Sequence, residues 1–194
     1  MKEESTPLGA SGRGRGRREN TQDETSVPWQ VSRAAEQHGE EFDPTLLALT
    51  LTLYRTMWAF DRVSAAELAP HGFTVSQFHI LAVLHRAEHP LTMGELGRAV
   101  SVRPANLTGV VDALTRRSLI ERQVNPTDRR SFLIRNTAAG EDFLVRFLPG
   151  HWQYLQTMMA GLSREQRVQL TDLLGRLHTS VVAAEPVPAA ESTA

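Results

Sequence analysis

The sequence predicts a mostly α-helical fold with one small β hairpin in its second half. Three observations lead there. No glycine or proline occurs between Pro44 and Pro70, so that stretch can run as one long helix. Thr74-Val-Ser-Gln77, Thr92-Met-Gly-Glu95 and Ser163-Arg-Glu-Gln166 are capping boxes, each marking a helix start. The short alternating stretches 119–124 and 131–135 are joined by the polar turn Asn125-Pro-Thr-Asp-Arg-Arg130, which is hairpin chemistry.

Taken in order, residues 1–26 hold five basic and five acidic groups and almost nothing to bury, so they are expected to be a disordered tail. Within them Gly12-Arg-Gly-Arg-Gly16 mimics a nucleotide-binding glycine loop, but no strand precedes it and no helix follows. Arg13, Arg15, Arg17 and Arg18 suit a loose nucleic-acid arm or a plain solvated tail. Pro28 fits the first turn of a short helix that includes Trp29. Asp43-Pro44 supplies an N-cap and a proline at N1 for the long helix. Leu46, Leu49, Leu53, Met57 and Phe60 form one apolar seam on it; Leu47, Leu51, Tyr54 and Trp58 form a second. Residues 47–53 also alternate like a strand, but length and the continued helical spacing favour the helix. Two seams imply more than one packing partner.

The helix opened by Thr74 turns Phe78, Leu81, Ala82 and Leu84 inward and ends by Pro90. Thr92 opens a short helix carrying Leu96, Ala99 and Val100. After Ser101 a further helix is expected over about 102–118, with Leu107, Val110, Val111 and Leu114 inward and Pro104 in its first turn. Two short helices across a tight turn outline a helix-turn-helix. Adding the hairpin, whose tip carries adjacent arginines, makes it a winged helix. Thr137 caps a long helix with an interruption expected at Pro149-Gly150. The last helix lines up Leu170, Leu173, Leu174, Leu177 and Val181, and residues 182–194 form an Ala/Pro/Glu-rich tail. The expected domain therefore spans 27–181: a winged helix-turn-helix at about 71–140, flanked by helical regions at about 27–70 and 141–181 that serve dimerisation.

Composition bounds the function. The chain has 194 residues, 41% hydrophobic and 22% charged, enough for one domain plus tails. It contains no cysteine, which excludes disulfides, thiolate metal sites and thiol nucleophiles. The start, Met-Lys-Glu-Glu-Ser, has no apolar signal region, and the longest aliphatic run, 80–84, cannot cross a bilayer. A cytoplasmic protein without membrane partners is expected. Net charge is −1, yet residues 101–135 carry seven arginines against Asp112, Glu121 and Asp128, a local +4. Arginine concentrated on a reading helix and hairpin tip is what phosphate neutralisation and groove contact require.

From about Leu46 to Leu177 the chain resembles the MarR family of winged-helix transcriptional regulators. The stretch Asn106-Leu-Thr-Gly-Val-Val-Asp-Ala-Leu-Thr-Arg-Arg-Ser-Leu-Ile-Glu-Arg122, the wing Asp128-Arg-Arg130 and Asn136-Thr-Ala-Ala-Gly140 carry the resemblance. It implies an obligate homodimer, built from the terminal helices, that sets two winged domains on a palindromic operator. The segment around Trp29 resembles the added N-terminal helix of the PecS and urate-responsive branch. That branch's ligand motif is kept in part: His79 stands where it has an acid, Arg86 keeps its arginine, and Gly109 replaces its recognition-helix arginine.

The function expected is a DNA-binding repressor, not an enzyme, that a small molecule releases from its operator. Arg103, Asn106 and Thr108 suit major-groove reading, since Arg matches guanine, Asn matches adenine and Thr offers a methyl to thymine. Arg116 and Arg117 suit phosphate. Arg130, oriented by Asp128 and flanked by Arg129, suits the minor groove, and Thr92 at the head of the helix pair joins the DNA-binding set. The effector expected is a small aromatic or phenolic anion, with Arg86 as cation, His79 as titratable partner, and Trp58 and Trp29 as walls. No cofactor is expected. His85 and His89 stand four apart with Glu88 between them and His79 six residues earlier, a usable metal spacing. His89 also suits the helix C-terminal dipole before Pro90, and there is no H-E-x-x-H. The alternatives are a helical protein-interaction module and, behind it, a metal-dependent regulator or enzyme using His79, His85 and His89.

Overall fold

The computed structural model describes residues 23–100, 104–128 and 130–184. The chain divides into two compact units, 1–72 and 73–194. In the first, α1 (Val27–His38) packs along α2 (Pro44–Leu68). The Ser26 hydroxyl accepts the N–H of Trp29 at 3.3 Å, and Pro28 sits in the first turn of α1. The expected tail therefore stops short of residue 26, whose side chain is a helix cap. Gly39, at φ 69°, lets the chain leave α1 through a backbone region that side chains resist. Asp43 accepts the N–H of Thr45 at 2.8 Å and starts α2 as expected. The alternating stretch 47–53 is helical throughout. Its Thr50 hydroxyl donates back to the Leu46 carbonyl at 2.8 Å, so a polar residue inside the apolar run is satisfied by the helix itself. Much of both α2 seams is exposed: Leu46, Leu49, Tyr54, Met57 and Trp58 all face outward.

The second unit begins with α3 (Val75–Arg86), where both halves of the Thr74–Gln77 capping box form. Then come β1 (Leu91–Thr92), α4 (Met93–Ala99), α5 (Pro104–Arg116), β2 (Ile120–Val124), β3 (Phe132–Asn136), α6 (Ala138–Met158) and α7 (Arg164–Ala183). The sheet is antiparallel in the order β1-β3-β2, with Leu91 opposite Ile134 and Ile120 opposite Asn136. Strand β1 was not expected, because two residues are too few to show alternation. Ile80, Leu81, Leu96, Val111, Leu114, Ile134 and Leu144 are fully buried, and Ile120 nearly so. Every element from α3 to α6 except β1 thus gives the core at least one large side chain.

Three boundaries differ from expectation. Helix α5 ends at Arg116, not 118. Ser118 adopts φ 55° while its N–H reaches the Thr115 carbonyl and that of Leu119 reaches the Leu114 carbonyl, a C-terminal cap that normally uses glycine. Helix α6 runs through Pro149 without the expected interruption. Proline there forfeits one hydrogen bond, to Val145, which lies on an exposed part of the helix. Helix α7 continues to Ala183, two residues into the expected tail.

The junction of β3 with α6 is tight. The Thr137 N–H donates to the Leu119 carbonyl at 3.0 Å and its hydroxyl to the Ser118 carbonyl at 2.7 Å. A Cβ placed on Gly140 would stand 2.3 Å from the Leu119 oxygen. Gly140→Ala is therefore expected to destabilise the protein by about 1–3 kcal/mol, the usual cost of overpacking. A urea denaturation midpoint equal to wild type would contradict this account of the junction.

Candidate DNA-binding surface and effector site

The helix pair is set by its caps and one close approach. Thr92 accepts the Glu95 N–H at 3.2 Å and donates its own O–H to the Glu95 carboxylate at 2.8 Å. The Thr92 N–H reaches the same carboxylate at 2.8 Å. These bonds, the backbone one first, hold the Glu95 carboxyl below the ordinary glutamate range. Their contribution is complete above that range and fades as pH falls through the lowered value. Thr92 thus caps α4, with its single O–H given to the Glu95 carboxylate. A Cβ on Gly97 would lie 3.3 Å from the Leu107 side chain, so α4 and α5 pack closely.

Burial of Leu107, Val111 and Leu114 turns the opposite face of α5 outward. Asn106, Thr108, Gly109 and Arg116 are exposed on that face. Gly109 is notable there, since an interior helical glycine is about 1 kcal/mol less favourable than alanine. Arg117, expected as a phosphate contact, lays its guanidinium over the Phe73 ring at 4.1 Å and reaches the Gln77 side chain at 3.5 Å. Its charge is thus anchored against the start of α3. Arg103 and Arg129 lie outside the described residues.

The wing tip is a chain of short polar turns. Asn125 accepts the Thr127 N–H at 3.1 Å and donates its side-chain amide to the Ser131 hydroxyl at 3.0 Å. Asp128 accepts the Arg130 N–H at 3.0 Å. This bond grips the Arg130 backbone and fixes where the exposed side chain leaves the loop. At the wing base Arg122 pairs with Asp112 and Arg135 with Glu121. Two of the three acids in the basic stretch are thereby neutralised by strand arginines.

His79 and Arg86 share a small hollow of about 200 Å³ with Val83, Ala99 and Val100. Trp29 lines a different groove, of about 650 Å³, with Glu24, Ser26, Pro28, Ser32, Arg33 and Glu36. Trp58 is exposed on α2 with the Arg62 guanidinium 5.6 Å from its ring centre. The metal spacing does not converge: the His85 Nδ1 meets the Glu141 carboxylate at 2.5 Å, whereas the His89 Nδ1 faces the Pro90 carbonyl at 3.2 Å. No group of three His, Cys, Asp or Glu side chains among the described residues is placed to hold a metal ion. No described helix is long and apolar enough to cross a membrane.

A paired-helix unit with a basic-tipped hairpin has counterparts among known proteins. The MarR family profile matches residues 71–131. The transcriptional repressor YetL of Bacillus subtilis is 30% identical over 145 residues, covering 73% of this chain and 87% of YetL. The chain belongs to the MarR family. Members of this family are DNA-binding transcription regulators and not enzymes. Among solved structures, a cysteine-to-serine mutant of Escherichia coli MarR bound to operator DNA superimposes with a TM-score of 0.62 at 26% identity, over 69% of this chain and 95% of that one. Bordetella bronchiseptica BpsR, whose DNA binding is regulated by 6-hydroxynicotinic acid, shares the fold with a TM-score of 0.60 at 24% identity, over 67% of this chain and 98% of its own.

Within this MarR-family winged helix, one polar cluster left no trace in the sequence pattern. The Asn136 side-chain amide donates to the Leu81 carbonyl at 3.1 Å and to the Glu141 carboxylate at 2.7 Å, and Glu141 also holds His85. The cluster ties α3, β3 and α6 together. Its members stand up to 56 residues apart, so no local spacing could have found them; His85 was visible only as a possible ligand.

Proposed function

We propose that this protein is a homodimeric repressor that binds a palindromic operator and is released by a small aromatic or phenolic anion. The outward face of α5 carries the DNA reading: its inner residues are buried while Asn106, Thr108 and Arg116 are exposed. Asn106 and Thr108, with Arg103 ahead of them, read base edges in the major groove. Arg116 neutralises phosphate, Arg117 braces the end of the reading helix, and Arg130 enters the minor groove from the wing with Arg129 beside it. As a regulator of genomic DNA it works in the cytoplasm.

Dimerisation is supported by the apolar faces left open on α2 and α7, including Leu46, Tyr54, Trp58, Leu173 and Val181. Exposed apolar surface on this scale marks an interaction site, and a two-fold dimer covers the same patch on both copies. Such a dimer presents two reading helices, which must sit about one DNA turn apart to engage both half-sites.

The hollow of His79 and Arg86 is smaller than the roughly 300–1,000 Å³ of ordinary ligand pockets, so it suits a single ring. Arg86 supplies the cation for a carboxylate or phenolate and His79 a second polar partner. An aromatic acid regulates BpsR, which favours the same class here. A ligand that prefers a mismatched helix spacing by about 1–3 kcal/mol weakens operator binding several- to more than a hundredfold.

Three measurements test this. In a salt-titrated gel shift on DNA flanking its own gene, Arg130→Ala should cost about 1–3 kcal/mol of operator affinity; absence of any sequence-specific shift by the wild type would overturn the DNA reading. Sedimentation velocity at micromolar concentration should show a dimer, and a folded monomer there would refute the assembly. Trp29, Trp58 and Trp152 are the only indoles, so tryptophan fluorescence should follow titration with 6-hydroxynicotinate or salicylate. Arg86→Ala should abolish both the response and the ligand-induced DNA release; an unchanged response would place the pocket elsewhere.

A further inference from the structure

We propose that Gly109 selects bases: the gap left by its missing side chain seats the C5-methyl of one thymine in each operator half-site. This deepens the DNA-reading function proposed above and rests on it.

Glycine weakens a helix interior, so a helical glycine needs a reason. For Gly97 and Gly140 the reason lies inside the protein. A Cβ there would press on the Leu107 side chain at 3.3 Å or on the Leu119 carbonyl at 2.3 Å. Gly109 has neither motive. A Cβ on it meets nothing within 4 Å among the described residues, and its φ is not positive, unlike Gly39 and Gly72. Gly150 and Gly175 are also open, and Gly94 in α4 would meet only the Arg98 side chain at 3.7 Å, but none of these lies on the outward face of α5. On the outward face of α5, the space left by the missing carbon is open to a group from outside the chain.

The neighbours say what kind of group that is. One turn earlier stands Asn106 and immediately before stands Thr108, both exposed polar side chains. One turn later Asp112, which would repel a nucleic acid, is held by Arg122. A polar, charge-neutralised face with a one-carbon gap at its centre fits the floor of the major groove. Of the four bases only thymine projects a carbon group there, its C5-methyl. That methyl fills the volume an alanine side chain would occupy and meets bare helix backbone. A phosphate or a cytosine edge would leave the gap empty and make Gly109 indifferent to base identity.

The experiment uses the full-length protein. Wild type first selects its operator from a pool of random duplexes, and each thymine of the selected site is then replaced singly by deoxyuridine, which lacks only the methyl. One thymine per half-site should be methyl-sensitive, with wild-type affinity falling roughly fivefold or more on replacement, the scale of one base mismatch. Gly109→Ala should bind the thymine operator roughly tenfold more weakly and recover on the deoxyuridine operator, because its own methyl now fills the gap. Its melting temperature should equal or exceed that of wild type, since alanine is the better helix former, so misfolding cannot explain the loss. If no thymine is methyl-sensitive, or if Gly109→Ala keeps wild-type affinity and the same preference for thymine, the inference falls while operator binding stands. If the wild type enriches no sequence at all, the DNA-reading function falls and this inference with it.

Discussion

At Gly140 the first turn of α6 comes so close to the Leu119 carbonyl that no side-chain carbon fits between them. The same carbonyl accepts the Thr137 N–H, and the carbonyl before it accepts the Thr137 hydroxyl. Leu119 also closes the C-terminal cap of α5 through its own N–H. One short piece of backbone therefore fixes where α5 stops, where β2 starts and where α6 leaves β3. The register Ile120 opposite Asn136 follows from that point and sets the hairpin out to its tip. The Asn136–Glu141–His85 cluster braces the same junction from the α3 side. Hydrogen-bonded clusters of this kind contribute more to a unique geometry than to net stability.

Charge is sorted by the same architecture. Arginines on β2 and β3 meet acids near the base of the wing, Arg122 with Asp112 and Arg135 with Glu121. Exposed pairs of this sort stabilise the fold only slightly. Their consequence is electrostatic: acids that would oppose a polyanion are neutralised, while Arg116 and Arg130 remain exposed. A chain of net charge −1 can in this way present a locally basic surface.

Apolar surface is distributed unevenly as well. The second unit buries a dense core in which seven large side chains have no exposure, yet α7 buries none of its residues. Helix α2 buries only Ser64 and Leu68. Long helices with open leucine faces leave apolar surface in contact with water, which is costly.

The sequence by itself determined the helices, the hairpin and the family resemblance. Asp43, Thr74, Thr92, Thr137 and Ser163 each act as the helix cap expected of them, because capping is a contact across three residues and is written in local spacing. The inward residues Leu107, Val111 and Leu114 were legible from periodicity for the same reason. Three features were decided by tertiary structure alone. Strand β1 exists because Leu91 and Thr92 find β3, some forty residues on. Arg117 and His85 meet Phe73 and Glu141, partners that no spacing rule connects to them. Gly109 and Gly140 look alike as letters, and only the space around each shows that one is demanded by the fold and the other is not. Local hydrogen bonds and periodic burial depend on neighbours in the chain, whereas a side chain's final partner depends on which distant backbone the packed core brings beside it.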